Sequence, residues 1–173
     1  LPPRLPRSVF HSFKTEGGPE LLVFVGEAQP ARDGFAFARK LLDKAVELGA
    51  NRVMTFASMA SQLHPSATPR AFGVVTQPDM KADVTRLGAE LLEDGQIGGM
   101  NGVMLGAAAE RGLPGICLLG EIPYFAAGLA NPKAARAVLG AFTKLTAIKV
   151  ETSELAQHDE ALERMMMDLL EKL

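Results

Sequence analysis

Two carboxylates, an imidazole, a phenol and several small hydroxyls follow apolar runs of this chain, and these are the side chains able to do chemistry. Gly26-Glu27-Ala28-Gln29-Pro30 follows Leu21–Val25, Ser58-Met59-Ala60-Ser61 and then His64-Pro65 follow Arg52–Ala57, and Gly120-Glu121-Ile122-Pro123-Tyr124 follows Ile116–Leu119. Open α/β sheets bind ligands beyond the carboxyl ends of their strands. If these runs are strands, Glu27, Gln29, Ser58, His64, Glu121 and Tyr124 form one candidate cleft. Glu27 and Glu121 suit an acid–base pair if burial raises one pKa and leaves the other carboxyl ionised. The competing reading is that each accepts hydrogen bonds from loop amides and fixes a turn. His64 precedes a proline, which biases it to an extended surface loop. Proton transfer and a plain loop histidine both remain open there. Ser58 lies outside any G-x-S-x-G elbow, which argues against a Ser-His-Asp hydrolase. His11, His64 and His158 are too dispersed for a metal site, and no cofactor is expected.

A second segment, Gly98-Gly99-Met100-Asn101-Gly102, leads into a helical pattern. Backbone amides at a helix N-terminus hold anions, which makes Gly98, Gly99, Asn101 and Gly102 an anion-binding candidate. The segment matches neither the P-loop nor the dinucleotide fingerprint. The alternative is packing: Gly98, Gly102 and Gly106 recur every four residues and present a Cβ-free ridge to the sheet or to another helix.

The elements that position these groups follow from periodicity. Strands are expected at Val9–Phe13, Leu21–Gly26, Arg52–Ala57, Ala71–Thr76 and Ile116–Leu119, with Leu21–Val25 apolar throughout, as in a strand covered on both faces. A helix capped by Asp33 carries Phe35, Ala38, Leu41, Leu42, Ala45 and Leu48 on one stripe and ends at Gly49. Another runs from Asp79 to near Gly95 with Met80, Val84, Leu87 and Leu91 inside, and a third spans Val103–Arg111. Asn131 and Pro132 open a fourth, and Glu154–Lys172 forms a last amphipathic helix. Its stripe covers either the domain's own sheet or a neighbouring subunit. Strands alternating with amphipathic helices predict an α/β protein, a three-layer α/β/α sandwich around a mixed, mostly parallel sheet. The division expected is a sandwich over residues 1–150 and a C-terminal amphipathic helix over 151–173.

Composition narrows the functions. The chain has 173 residues, 47% of them apolar and 22% charged, with a net charge of −2, and its Lys and Arg are scattered, which argues against a polyanion-binding surface and hence against nucleic acid. No apolar stretch reaches the roughly 20 residues of a membrane helix. The single Cys117 lies in an apolar run, reads as a buried small hydrophobe, and fits a reducing, cytoplasmic compartment. Leu1-Pro2-Pro3-Arg4 is expected to be an internal start, with the natural chain extending upstream.

Taken in order, Gly26–Pro30 (GEAQP), Thr55–Ala60 (TFASMA) with His64-Pro65, Gly98–Gly102 (GGMNG), Cys117–Tyr124 (CLLGEIPY) and Asn131–Lys133 (NPK) resemble the proteasome assembly chaperone family, in its archaeal and bacterial branch. The resemblance covers about Leu1–Val150. It implies a sandwich like that of the purine nucleoside phosphorylase group, with a first strand and glycine-rich turn upstream of Pro2-Pro3. It also implies a homo-oligomeric, non-catalytic scaffold that helps assemble a proteasome-like ring. Several members end in a hydrophobic-Tyr-any docking tail. With Leu170-Glu171-Lys172-Leu173 at the end of this sequence, that docking mechanism is not expected to carry over. The alternative function is a small-molecule enzyme or sensor using an anion- or nucleoside-binding cleft at the strand C-termini.

Overall fold

The computed structural model describes residues 4–93 and 97–172. A hairpin comes first, β1 (Ser8–Phe13) antiparallel to β2 (Leu21–Gly26), turning at Gly17 with its φ of 71°. Helix α1 (Gly34–Glu47), strand β3 (Val53–Ser61) and strand β4 (Ala71–Val75) follow. A single 3₁₀ turn leads into α2 (Lys81–Arg86), and β5 (Glu90–Leu91) is a two-residue strand. Next come α3 (Gly99–Glu110), β6 (Gly115–Pro123), α4 (Pro132–Thr146), α5 (Ser153–Gln157) and α6 (Asp159–Leu170).

The main sheet has the order β3-β6-β4-β5, with β3 parallel to β6, β4 antiparallel to β6 and β4 parallel to β5. Alternation along each strand sends its side chains to opposite layers. Met54, Ala71, Val75, Ile116 and Leu118 meet Val84 of α2, Leu87 just after it, and Val138 and Ala141 of α4. Ala57, Phe72, Val74, Cys117 and Leu119 meet Leu105 of α3 on the other face. Helix α1 then packs on α3 through Leu42 and through Ala38, Ala107 and Ala108, whose short side chains let the helices approach. The result is a mixed α/β fold with helices on both faces of a mixed sheet, as the element order predicts.

Several boundaries differ from expectation, each for a physical reason. The stripe of α2 ends early because Gly88 adopts a φ of 74°, so Leu91 belongs to β5 instead of the helix. The expected stop at Gly95 lies outside the described residues. Helix α3 begins at Gly99, four residues before Val103. The last helix is broken at His158 into α5 and α6. Asp33 occupies the N-cap position of α1 in a left-handed conformation (φ 55°) and makes no side-chain cap bond. By contrast, Asn131 caps α4 as predicted, its side-chain oxygen accepting from the Ala134 amide at 3.0 Å, with Pro132 in the first turn.

The hairpin departs furthest. It forms a sheet of its own. Phe24 stacks against Phe10 and against Phe37 of α1, with ring centroids 5.3 and 6.3 Å apart. The opposite face carries Val9, Phe13, Val23 and Val25, all exposed, so Leu21–Val25 is covered on one face only. Strand β3 also has an open edge. The Val53 amide donates to the Pro114 carbonyl, so the parallel register turns the backbone groups of Thr55, Ala57 and Met59 toward β6 and those of Met54, Phe56, Ser58 and Ala60 outward.

Helices α5 and α6 sit on the α4 side. Lys133 pairs with Glu163 and Arg136 with Asp159, and Met166 is the fully buried side chain of α6. The polar bonds of the terminal helix therefore go to α4 and not to the sheet.

Candidate functional site

Strand β6 is buried over its whole length, including the Gly120-Glu121-Ile122-Pro123 segment that reads as a loop. Small residues and a compensated charge make that possible. At Gly120 a Cβ would stand 2.7 Å from the Ala134 carbonyl oxygen, so glycine lets the first turn of α4 lie directly on the strand. Glu121 is only 2% exposed, and a carboxylate so placed must be paired and hydrogen-bonded. Arg70, just before β4, donates from Nη2 to Oε1 at 2.7 Å and from Nε to Oε2 at 2.9 Å. Its backbone amide adds a 3.3 Å bond to Oε2, and Ser61 Oγ donates to Oε1 at 2.8 Å. The outer nitrogen Nη1 of Arg70 reaches Glu90 of β5 at 3.0 Å. Arg70 thus clamps β4, β5 and β6 together at one end of the sheet, in the two-pronged geometry that suits guanidinium to carboxylate.

The arginine's hydrogen bonds hold the Glu121 carboxyl down to about 2, overriding the burial that alone would raise it. Arg70 is shifted upward by the same pair. An ionised, fully bonded carboxylate is neither a proton donor nor a free base near neutral pH.

A cavity of about 370 Å³ opens beside this clamp, lined by Ser61, Gln62, Leu63, His64, Thr68, Arg70 and Glu121. Ser61 Oγ accepts from the Leu63 amide at 3.0 Å, which shapes the loop after β3. His64 Nδ1 accepts from the Ser66 amide at 3.3 Å and lies 2.7 Å from Ser66 Oγ. In the neutral ring the proton then sits on Nε2. The loop is also held from α4, where Lys133 Nζ lies 3.5 Å from the Pro65 carbonyl.

Of the six cleft candidates, His64 and Glu121 line this cavity; Glu27, Gln29, Ser58 and Tyr124 do not. Ser58 lies within β3, paired in register with Gly120, and Tyr124 is exposed with Phe125 edge-on at 5.5 Å. Glu27 is exposed at the end of β2 and accepts from Arg4 Nη1 at 2.6 Å and from the Arg7 amide at 3.0 Å. Those bonds, the Arg4 one foremost, lower its pKa. Among the described residues no hydrogen bond or ion pair joins Glu27 to the Glu121 cluster. Each carboxylate instead ties its own segment of backbone and arginine.

The glycine-rich segment forms a second cluster. Gln29 Oε1 lies 3.7 Å from where a Gly99 Cβ would be, so the Gly26–Pro30 loop meets the start of α3. Asn101 Nδ2 donates to the Phe56 carbonyl at 2.8 Å, occupying one outward acceptor on the open edge of β3. The expected glycine ridge is absent. A Cβ at Gly98 meets nothing within 4 Å, and one at Gly106 meets only Phe35 at 3.9 Å. At Gly102, however, a Cβ would stand 1.9 Å from the Ile97 carbonyl oxygen, so its close approach is to its own preceding loop. Sequence reasoning missed Arg70 as the partner of Glu121 and named Ser61 only as one small hydroxyl among several; the arginine directly before the β4 run was the available signal.

Among the described residues no group of three His, Cys, Asp or Glu side chains could hold a metal ion. No described helix is long and apolar enough to cross a membrane.

The motifs that carry the sequence resemblance thus meet at two clusters of one mixed α/β fold. The PAC2 family model matches residues 2–170. The chain belongs to the PAC2 family. This PAC2 chain is 31% identical over 132 residues to an uncharacterised protein of Methanocaldococcus jannaschii; the match covers 75% of this chain and 49% of that protein, so the chain spans about half the length of that relative. Among solved structures, Pyrococcus furiosus PbaB, described as an archaeal proteasome activator, superposes with a TM-score of 0.81 at 27% identity, over 96% of the PAC2 chain and 72% of PbaB. A Mycobacterium tuberculosis proteasome-assembly chaperone homologue gives a TM-score of 0.76 at 19% identity, over 94% of this chain and 68% of that one, a likeness of fold. Pyrococcus furiosus PbaA, described as an archaeal homologue of a proteasome-assembly chaperone, gives 0.73 at 19%, over 98% and 72%.

Proposed function

We propose that this PAC2 chain is a non-catalytic, homo-oligomeric scaffold or assembly chaperone that works by binding protein, with a proteasome-like ring as its partner class. The observation that carries this reading is the likeness to the archaeal proteasome activator PbaB, at 27% identity over 96% of the chain. Two features of the site support it. Glu121 is locked by Arg70 and Ser61, so the buried carboxylate of the cavity serves as a clamp and not as an acid or base. The uncovered hairpin face of Val9, Phe13, Val23 and Val25 is apolar surface of the kind that protein contacts cover. A net charge of −2 fits a protein partner better than a nucleic acid.

Size-exclusion chromatography with light scattering at micromolar concentration tests the oligomer. A mass at a multiple of 18.4 kDa is expected, and a strict monomer overturns the scaffold reading. The second reading, a small-molecule sensor, is favoured by one observation: the cavity holds an imidazole and a guanidinium in a volume suited to a metabolite. A metabolite screen by thermal shift separates the two, since a hit lost in the His64→Ala variant supports the sensor and a screen without hits removes it.

A further inference from the structure

The terminal helix α6 is joined to the fold by a contact that is small, polar and incompletely bonded. Its side chains reach α4 through the Lys133–Glu163 and Arg136–Asp159 pairs. Within the second pair, Arg136 Nε and Asp159 Oδ1 are buried and find no hydrogen-bond partner among the described protein atoms. Met166 is buried, while Met165 and Leu169 on the same helix are exposed. Upstream, residues 147–152 carry no regular structure, and Ala147 is left-handed with a φ of 60°. Ion pairs that leave buried polar atoms unsatisfied contribute little net attachment. Elements with few buried apolar contacts are the ones that open locally, before the core does.

Lys133 gives that opening a consequence. Its side chain is mostly buried, and its ammonium stands between Glu163 of α6 and the Pro65 carbonyl of the loop that carries His64. The 3.5 Å distance to Pro65 is long for a hydrogen bond, so the ammonium's position, and with it the loop's hold, depends on the carboxylate that anchors it from the other side. We propose that α6 is a releasable strap, undocking from α4 as a unit, and that Lys133 transmits the release to the His64 loop. The order of the cavity rim then follows the state of the terminal helix. Because both straps are ion pairs with partly exposed members, added salt weakens the docked state.

Hydrogen exchange on the full chain tests both parts. The α6 amides are expected to exchange as one block, about tenfold or more faster than the Val138–Ala141 turn of α4, and faster still at high salt. Met166→Ala, which leaves both ion pairs chemically intact, should speed α6 exchange and also that of the Ser66 and Ala67 amides, which bond to His64. In Lys133→Met/Met166→Ala the second substitution should add nothing to exchange at Ser66 and Ala67 beyond that of Lys133→Met alone. Unchanged exchange in the Val138–Ala141 turn reports that the core remains folded in each variant. An α6 as protected as α4 overturns the strap. Faster α6 exchange in Met166→Ala with Ser66 and Ala67 unmoved overturns the transmission through Lys133.

Discussion

Replacing Glu121 by glutamine removes the charge from the clamp while keeping its shape. The carboxyl has a pKa of about 2 in the fold, against an ordinary value of 4.5. A depression of that size corresponds to about 3 kcal/mol of stability at neutral pH. Arg70 is half-exposed, so water reclaims part of that once the charge is gone. The expected loss is about 2–3 kcal/mol, or a fall in Tm of roughly 5–10 °C for a domain of this size. The pH dependence follows from the folded pKa lying below the unfolded one. The contribution is complete above pH 4.5 and is lost as pH falls toward 2, when the carboxylate takes up its proton in the folded state too. Urea unfolding of the wild type and Glu121→Gln at pH 7, 4 and 3 measures this. The gap between the two proteins should be widest at pH 7 and close steadily on acidification. A gap that is equally wide at pH 3, or no gap at pH 7, refutes the clamp.

Gly120→Ala should destabilise by about 1–3 kcal/mol in the same assay, because its Cβ would meet the Ala134 carbonyl oxygen at 2.7 Å and both are backbone-fixed. Ala147→Gly should stabilise by about 0.5–1 kcal/mol, since the residue closes α4 in a left-handed conformation where glycine carries no penalty. Asn101→Ala should cost about 0.5–1.5 kcal/mol and raise concentration-dependent light scattering, because it uncovers the Phe56 carbonyl on the β3 edge.

Where local chemistry decides structure, the sequence was readable. Asn131-Pro132 opens α4 with the cap it advertises, and Gly49 follows α1 with a φ of 95°. The apolar positions Val84, Ile116, Leu118 and Val138 do form the core. Misreadings arose where a distant partner rewrites local preference. Glycine, glutamate and proline are poor strand formers, so Gly120–Pro123 reads as a loop. It is a buried strand because Arg70, 51 positions earlier, satisfies Glu121, and because α4 needs the bare backbone of Gly120. Ser58–Ser61 is likewise drawn into β3 by its register with β6. The run Leu21–Val25 is apolar on both faces, yet only the Phe24 side finds a helix, and periodicity carries no information about which face is met. Of the six-residue cleft only the meeting of His64 with Glu121 was legible; Gln29 instead approaches Gly99, which the sequence assigns to a separate glycine-rich segment. That Arg4 and Arg7 engage Glu27 depends on how the hairpin folds back, which no spacing announces.

Sedimentation velocity of the chain mixed with purified ring-forming proteasome subunits tests most directly whether this PAC2 protein works by binding protein. The expected result is a faster boundary containing both components, retained by Glu121→Gln below its melting temperature. A boundary of free 18.4-kDa chain, unchanged by the subunits, would contradict it.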